Sequence, residues 1–405
     1  MQGRTMLDLG RRNELTVLSA VRLSPDGTSQ SEVVHRTGLS RQAVSLITRR
    51  LRERGLIETD GTLSGSRGKP RTVLRIVPTA LLAAGVHLDP AGISLVIVDL
   101  LAEAVAQRSL APPTDDPPGD IARIARELSA MQEDLQREGW RTPDGRCAAE
   151  AMLGIGVASP GGVDVAAGIV LTPPWLPGWR HVPVTALLEH ETGLPVVLDK
   201  DTNAALTAET WSVAGPAEES VQYVYLGAGV GSALSIRGRP HHGAAAQAGE
   251  IGHLPTGLTG RRCGCGRDGC LSVYTDVETM LSAAEARGLP LGGAGRASSE
   301  RLAHLVASAT AGDPVAAELV GDYGAALGEA LRTLIDLHDP HRLVIGGPSW
   351  DVLSPLVLPE VQRRAAVPAP DGTAPGLESS RLGDGVGALG AATLFLQREL
   401  SPSDS

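Results

Sequence analysis

Three of the four cysteines lie close together in the segment Arg-Cys-Gly-Cys-Gly-Arg-Asp-Gly-Cys, at Cys263, Cys265 and Cys270, and His253 lies ten residues before the first of them. Three thiolates and one imidazole are a ligand set that suits tetrahedral Zn²⁺. Because protein side chains fill all four positions, such an ion is structural rather than hydrolytic. A cytosolic chain is not expected to hold these cysteines as disulfides, and their odd number would leave one unpaired, so the alternative is three reduced thiols without a metal. The segment predicts one structural zinc ion per chain. The fourth cysteine, Cys147, falls in a predicted loop or helix end and has no predicted role.

A second group of chemically suited side chains lies near the N-terminus, in the segment SRQAVSLITRRLRERG (residues 40–55). Ser40 is typical of a helix N-cap, and Val44, Ile47 and Leu51 have the spacing of a buried helical stripe. The outer faces of this predicted helix carry Arg41, Gln42, Ser45, Arg49 and Arg52.

Two shorter helical patterns precede this segment, over residues 13–23 and 29–37, and the second ends at Gly38. A helix, a Gly-containing turn and a second helix form the pattern of a helix-turn-helix. After Gly55, two short apolar runs enclose a Gly-rich basic loop, which predicts a winged hairpin.

This order of elements predicts binding to double-stranded DNA. The first residues of a recognition helix reach base edges in the major groove, where Arg and Gln supply forked hydrogen-bond donors. The wing residues Arg67, Lys69 and Arg71 are expected on flanking phosphates or in the minor groove. The predicted DNA-contacting residues are Ser40, Arg41, Gln42, Ser45, Arg49, Arg67, Lys69 and Arg71. The alternative is that the basic face is merely solvated or contacts another protein.

Composition divides the 405-residue chain in two. Residues 1–80 carry a net charge of +7, whereas the whole chain carries −10, so the remainder is acidic. An acidic body repels nucleic acid, which confines any DNA binding to the basic segment. With 42% hydrophobic residues the chain has enough apolar surface to bury, which excludes a disordered protein. The sequence contains no long apolar run and no signal-peptide pattern, and we therefore expect a cytoplasmic protein without membrane contact.

Six segments in order resemble the ROK family of bacterial repressors and sugar kinases. They are GIGVASPGGVD (154–164), LTPPWLPGW (171–179), VVLDKDTNAALTAE (196–209), YLGAGVGSALSIRG (225–238), GEIGHLPTGLTGRRCGCGRDGC (249–270) and LVIGG (343–347). The winged helix resembles the one that the regulators of this family carry and its kinases lack.

The resemblance implies an α/β fold: an N-terminal winged helix-turn-helix over residues 1–78, followed by a two-lobed actin- and hexokinase-like (ribonuclease H-type) ROK domain over residues 79–405. Lobe one is expected at about 79–205 together with the C-terminal helix, and lobe two at about 206–385. Apolar β-rich runs that alternate with longer helical stretches agree with an α/β domain. A Pro-rich acidic stretch, residues 111–120, predicts a surface loop.

The resemblance also implies a ligand cleft between the lobes. Residues at the family's sugar-contacting positions include Asp201, Glu250 and His253, and the histidine both binds zinc and touches or orients the sugar. Lys200, Ser272 and Trp175 depart from the family pattern. Lys200 favours an anionic group, and Trp175 either stacks on a sugar face or caps the cleft. The predicted effector-binding residues are Trp175, Lys200, Asp201, Glu250 and His253, and the effector is a sugar, a sugar phosphate or a sugar acid.

The phosphate loop of the family's kinases is altered in this sequence. The aligned stretch is GVHLDPAGI, with His87 in place of an aspartate, Asp89-Pro90 in place of two glycines and Gly92 in place of a lysine. Proline lacks an N–H to donate and aspartate repels an anion, so productive ATP binding is not expected. The later stretch Gly227–Gly231 keeps its glycines and is either a remnant of a phosphate loop or a plain hairpin.

Together these features predict a DNA-binding transcriptional regulator, most simply a repressor, of carbohydrate-related genes, with a catalytically inactive kinase-like body. The expected partners are an operator with an inverted repeat, a small-molecule effector and further copies of the chain in a homodimer or homotetramer. The alternatives are a ROK-family sugar kinase and a DNA-binding regulator that responds to no effector.

Overall fold

The computed structural model describes residues 6–63, 71–173, 176, 178–212, 219–227, 229–292, 296–366, 375–383 and 385–402. The chain forms two compact units, Met1–Ala214 with Gly387–Ser405, and Gly215–Val386. The division between lobes predicted near residue 205 falls inside a helix, Asp201–Ser212, that lies wholly in the first unit.

The N-terminal segment folds as the predicted winged helix-turn-helix. Its helices are α1 (Met6–Arg22), α2 (Gln30–Thr37) and α3 (Arg41–Glu53), and its wing is the antiparallel pair β1 (Ile57–Leu63) and β2 (Arg71–Ile76). Helix α1 begins earlier than the predicted residue 13, because the helix continues through Gly10 and the two arginines that interrupt the apolar pattern. A bridge between Thr28 and Leu74 joins the second strand to the helices.

A five-stranded sheet forms the body of the first unit in the described part of the chain, in the order β5-β4-β3-β6-β9. The strands are β3 (Leu82–Asp89), β4 (Gly92–Val98), β5 (Ala104–Leu110), β6 (Met152–Ser159) and β9 (Val196–Lys200). The first three pair antiparallel, and β3, β6 and β9 run parallel. A small hairpin lies beside them, β7 (Gly162–Asp164) and β8 (Ile169–Thr172).

Helices cover both faces of this sheet. They are α4 (Pro117–Arg137), α5 (Ala148–Ala151), α6 (Val184–Thr192), α7 (Asp201–Ser212) and α13 (Val386–Leu400). The side chains of β3 point alternately to the two faces of the sheet. On one face, Leu82, Ala84, Val86 and Leu88 join the apolar cluster that includes α4 and α6. Its opposite face lies against α13, because an added Cβ at Gly85 would overlap Ala388 of that helix.

The second unit is built around a mixed sheet of order β12-β11-β10-β13-β14 in the described residues. Its strands are β10 (Val221–Leu226), β11 (Val230–Ile236), β12 (Arg239–Pro240), β13 (Arg342–Gly346) and β14 (Gly376–Ser379). Its helices are α8 (Ser272–Thr275), α9 (Val277–Ala286), α10 (Ser298–Thr310), α11 (Pro314–His338) and α12 (Pro348–Ala365). One large apolar cluster joins the last four helices to β10 and β13.

The stretch 111–120 is a loop only in its first half, which corrects the prediction. Helix α4 begins at Pro117, where a proline is tolerated because the first helical N–H has no intrahelical acceptor. Asp116 caps the helix, and Asp120 is buried and accepts a hydrogen bond from the Thr114 N–H at 2.5 Å. In the part of the chain described here, no helix has the length and apolarity that a membrane crossing requires.

Candidate nucleic-acid interface and metal centre

Helix α3 has the local structure of a recognition helix. Gly38 ends α2 in the left-handed conformation, with φ of 69°, and Ser40 caps α3 by accepting a hydrogen bond from the Ala43 N–H at 3.2 Å. Val44, Ile47 and Leu51 are buried, as predicted. These contacts fix α3 against α1 and α2 and leave its other face directed outward.

The outward face of α3 carries the predicted base-reading residues. Arg41, Gln42, Ser45 and Arg49 are exposed and line one concave surface. Ser40 is exposed at the start of the same helix.

Four further residues, which are not among the predicted DNA-contacting residues, line this surface. They are Gln30, Leu46, Thr48 and Arg52. Gln30, at the start of α2, donates a hydrogen bond from Nε2 to Thr48 Oγ1 at 3.0 Å and so joins the two helices. Leu46 is 40% exposed, an apolar side chain on an otherwise polar and basic face. The sequence offered a signal for two of these residues. Leu46 lies four residues after Gln42, and Arg52 lies three residues after Arg49, so helical spacing places each of them on the same face.

The strands of the wing are present, but its predicted contact residues are described only in part. Arg67 and Lys69 lie outside the described residues. Arg71 is the first residue of β2, and its side chain is outside the description as well. Arg75 at the base of the wing pairs with Asp60 at 2.9 Å.

The four predicted metal ligands come together in the second unit. Their donor atoms all lie within 4.8 Å of one another. Nδ1 of His253 is 3.5 Å from Sγ of Cys263, and the Sγ atoms of Cys265 and Cys270 are 3.6 Å apart. Zinc bond lengths in a tetrahedron require roughly 3.8 Å between two sulfur donors and roughly 3.6 Å between sulfur and nitrogen. The side chains present therefore fit a tetrahedral metal ion.

Glycines shape the loop that carries the cysteines. Gly266 and Gly269 have φ of 88° and 72°, a conformation that favours residues without a Cβ. At Gly269 an added Cβ would also overlap the Leu258 carbonyl oxygen. Arg261 anchors the loop to α11 through an ion pair with Asp322 at 3.0 Å.

The thiols of the cluster differ in acidity. A hydrogen bond from the backbone N–H of Arg267 lowers the pKa of Cys265 to about 6. Burial raises the pKa of Cys270 to about 11. Since metal ligands bind as thiolates, binding of a cation to this cluster releases protons.

The predicted effector residues are distributed over the two units. In the first unit Lys200 is buried at the end of β9, and its N–H donates to Asp199 Oδ1 at 2.7 Å. Asn203 Nδ2 donates to the same oxygen at 2.8 Å. Asp201 begins α7 and accepts a hydrogen bond from the Thr202 N–H at 2.7 Å.

In the second unit Glu250 and His253 are exposed at the short turn that leads into the metal cluster. Ser272 lies beside this turn, 3.6 Å from the position of a Cβ built on Gly252. Trp175 lies outside the described residues.

The segment aligned with the kinase phosphate loop is a tight hairpin turn. Asp89 pairs with Gly92 across the β3–β4 hairpin, with Pro90 and Ala91 between them. The Ala91 N–H donates to the Asp89 carboxylate at 2.8 Å, and Pro90 has no N–H. Between the two strands, the turn thus offers no free backbone donor for a phosphate.

His87 lies on the face of β3 that packs against α13. It is buried, and a Cβ built on Gly387 of α13 would overlap its ring. Burial lowers the pKa of His87, so the imidazole is neutral at physiological pH. At the position where the resemblance to the family's kinases implies an aspartate, this chain has a neutral ring packed against a helix.

Two family models match the chain. The ROK family model matches residues 143–398, and the MarR family model matches residues 7–62. A protein named as a putative xylose repressor of Caldicellulosiruptor sp. is 26% identical over 87% of this chain and 86% of its own length. A glucokinase of Halalkalibacterium halodurans is 32% identical over 62% of this chain and 78% of its own length.

Among solved structures, the chain is similar to a ROK family transcriptional regulator described as a homologue of the Escherichia coli Mlc protein. The TM-score is 0.77 with 21% identity, and the match covers 97% of both chains. At this identity the likeness concerns the fold alone. The ROK model matches more than half of the whole sequence, and the matched range includes the metal cluster. The chain belongs to the ROK family.

Proposed function

We propose that this protein is a DNA-binding transcriptional repressor that responds to a sugar or a sugar derivative. The observation that carries this proposal is the capped helix α3, whose exposed face presents Arg41, Gln42, Ser45 and Arg49 on the one strongly basic segment of an acidic chain. The relative named as a putative xylose repressor matches 87% of this chain and 86% of its own length, which supports the same assignment.

In this proposal Arg41 and Gln42 read base edges in the major groove, because their forked donors match purine acceptors. Ser40, Ser45 and Arg49 complete the contact with bases and backbone. The wing residues Arg67, Lys69 and Arg71 contact phosphates or the minor groove. Leu46 lies within the same surface and contacts the methyl group of a thymine.

The metal cluster holds one structural Zn²⁺ ion per chain, bound by His253, Cys263, Cys265 and Cys270. The donor separations of 3.5 and 3.6 Å support a tetrahedral ion, and three thiolates with one imidazole favour zinc. Bound zinc fixes the turn that carries Glu250 to the cysteine loop.

The effector is a sugar, a sugar phosphate or a sugar acid. Its proposed contacts are Lys200 and Asp201 in the first unit, Glu250 and His253 in the second, and Trp175. A buried lysine favours an anionic group on the ligand, and carboxylates accept hydrogen bonds from sugar hydroxyls. The ion and the effector are distinct ligands that share His253.

The glucokinase relative favours a second candidate function, sugar phosphorylation. That relative covers 62% of this chain, whereas the repressor relative covers 87% of it. The β3–β4 turn argues against phosphoryl transfer, because Asp89 takes the Ala91 N–H and Pro90 has none to offer. The proposed function therefore includes no catalysis.

The repressor acts as a homodimer or homotetramer on an operator with an inverted repeat. One winged helix reads few base pairs, and two related by a two-fold axis read half-sites one helical turn apart. The operator symmetry thus follows from the symmetry of the oligomer.

Binding to DNA tests the proposal directly. Duplexes selected by the full chain from a random library are titrated with wild-type protein at fixed salt. We expect Arg41→Ala to raise the Kd by about fivefold or more, since one good bidentate base contact is worth about 1 to 3 kcal/mol. Arg126→Ala is the matched control, because Arg126 is an exposed arginine on α4 of the body.

Failure to select any duplex, or equal Kd values for Arg41→Ala and wild type, would contradict the recognition-helix assignment. Titration of the complex with neutral sugars, sugar phosphates and sugar acids then tests the effector. An affinity that no compound changes would favour a regulator without an effector.

A further inference from the structure

Helix α7 starts at the predicted effector residues and ends at the DNA-binding domain. It follows Lys200 directly, begins at Asp201 and extends to Ser212, about 18 Å at 1.5 Å per residue. Residues 202–209 are all buried. A helix enclosed on all sides has no free side on which a local shift could be absorbed.

Close packing holds the middle of α7. Ala204 is fully buried with Ala391 and Leu394 of α13. An added Cβ at Gly390 would overlap the backbone of Ala204, so the two helices are in backbone contact. Interiors packed at this density respond to a displacement by moving as a rigid body. A displacement at the first turn of α7 therefore reaches its last turn.

At the last turn, Trp211 contacts the DNA-binding domain. Its Nε1–H donates to the carbonyl oxygen of Leu100, a residue of the body just after β4, at 3.3 Å. The contact with the DNA-binding domain is made to Arg22. The guanidinium of Arg22 lies 3.5 Å from the centroid of the indole and donates a hydrogen bond to the Trp211 carbonyl oxygen. Arg22 is the last residue of α1 and is partly buried.

Helix α1 in turn carries the recognition helix. The two helices are in contact, and Arg54, directly after α3, pairs with Glu14 of α1. Buried side chains of α1 and α3 belong to one apolar cluster that also contains Trp211. A continuous path of packed groups thus connects the start of α7 with α3.

We infer that α7 couples the effector-binding residues to the DNA-binding domain, with Trp211 and Arg22 as the positioning residues of the connection. This inference rests on the proposed function and deepens it, because it names how occupancy at Lys200 and Asp201 changes the placement of α3. Neither Trp211 nor Arg22 touches the effector or a base.

Reciprocity allows a test with DNA alone as the ligand. If effector binding changes the affinity for DNA, DNA binding must change the affinity for the effector by the same factor, and it does so by shifting the state of the effector region. The N–H groups of Lys200 and Thr202 bond to carboxylates at the start of α7, so their hydrogen exchange reports on that region. The experiment measures exchange of peptides over residues 196–206 in the full chain, with and without a saturating selected duplex.

We expect DNA to change the exchange rate of these amides at least about fivefold in the wild type, the lower end of typical coupling. The change should disappear in Arg22→Met and in Trp211→Phe, each measured with DNA at saturation. Arg11→Met is the matched control, because Arg11 lies on the same helix but pairs with Glu399 of α13 at 3.4 Å. This variant should retain the wild-type change.

The outcomes separate the two proposals. A chain that binds no duplex refutes the proposed function and the inference with it. A wild-type chain that binds DNA without any change at residues 200–203 refutes the inference alone. Persistence of the full change in the folded Arg22→Met or Trp211→Phe variant also overturns it.

Discussion

Leu46 provides a sharp test of how α3 meets DNA. Its side chain is 40% exposed among Gln42, Ser45 and Arg49. Full burial of a leucine is worth about 1.5 to 3 kcal/mol, so covering the exposed part contributes about 0.6 to 1.2 kcal/mol. At about 1.4 kcal/mol per factor of ten, this corresponds to a roughly three- to eightfold change in Kd for each half-site.

The methyl group of thymine, the proposed partner of Leu46, can be removed from DNA without altering base pairing. Replacing thymine by uracil deletes one methyl group, worth about 0.8 kcal/mol or roughly fourfold in Kd. We expect the wild type to lose this factor on a uracil-substituted duplex and Leu46→Ala to bind both duplexes equally. Fluorescence anisotropy at fixed salt gives the four Kd values of the cycle.

The four values discriminate between a methyl contact and a general effect of the substitution. Leu9→Ala is the control, because Leu9 is 39% exposed on α1 outside the surface of α3. It should keep the wild-type response to uracil. If Leu46→Ala loses the same factor on uracil as the wild type, the two groups are not in contact and the reasoning fails.

Three further predictions concern the metal, the body and its stability. Cys270→Ser should purify with little zinc, as measured by metal analysis. The control Cys147→Ser, which changes a cysteine outside the cluster, should retain one ion per chain. A full zinc content in Cys270→Ser would refute the ligand set. A mixture of the protein, glucose and ATP should release no sugar-dependent ADP in a coupled assay, and sugar-dependent release of ADP would favour the kinase alternative. Burial lowers the pKa of His87, so the unfolded chain binds the proton first as the pH falls through 6.5. Unfolding free energy should therefore fall by about 1 kcal/mol more between pH 7 and pH 5.5 in the wild type than in His87→Gln. Equal pH dependence in urea titrations would contradict a buried neutral imidazole.

The sequence predicted features that depend on neighbours along the chain. Ser40, the Gly38 turn and the stripe of α3 are separated by one or two helical turns, and the cysteines lie within eight residues of each other. Such short spacings determine local geometry, and the structure confirms the helix-turn-helix, the wing strands and the close approach of His253 to the cysteines.

Features made by distant segments were beyond sequence reasoning. Arg22 and Trp211 are 189 positions apart, and His87 meets Gly387 across most of the chain. No periodicity links such residues, because their proximity follows from the packing of whole elements. The start of α4 was missed for a different reason: Pro117 and Pro118 are typical of loops and equally of the first turn of a helix.

The position of α13 has a consequence for synthesis on the ribosome. Its residues Ala392, Phe395 and Leu396 complete the apolar cluster that contains the helices of the DNA-binding domain. The 172 residues of Gly215–Val386 are translated between the two parts of the first unit. At about 5 to 20 residues per second, this takes roughly 10 to 35 seconds. Until α13 is synthesised, the face of the sheet that it covers in the first unit stays open. The second unit can therefore fold first, and full docking of the DNA-binding domain requires α13.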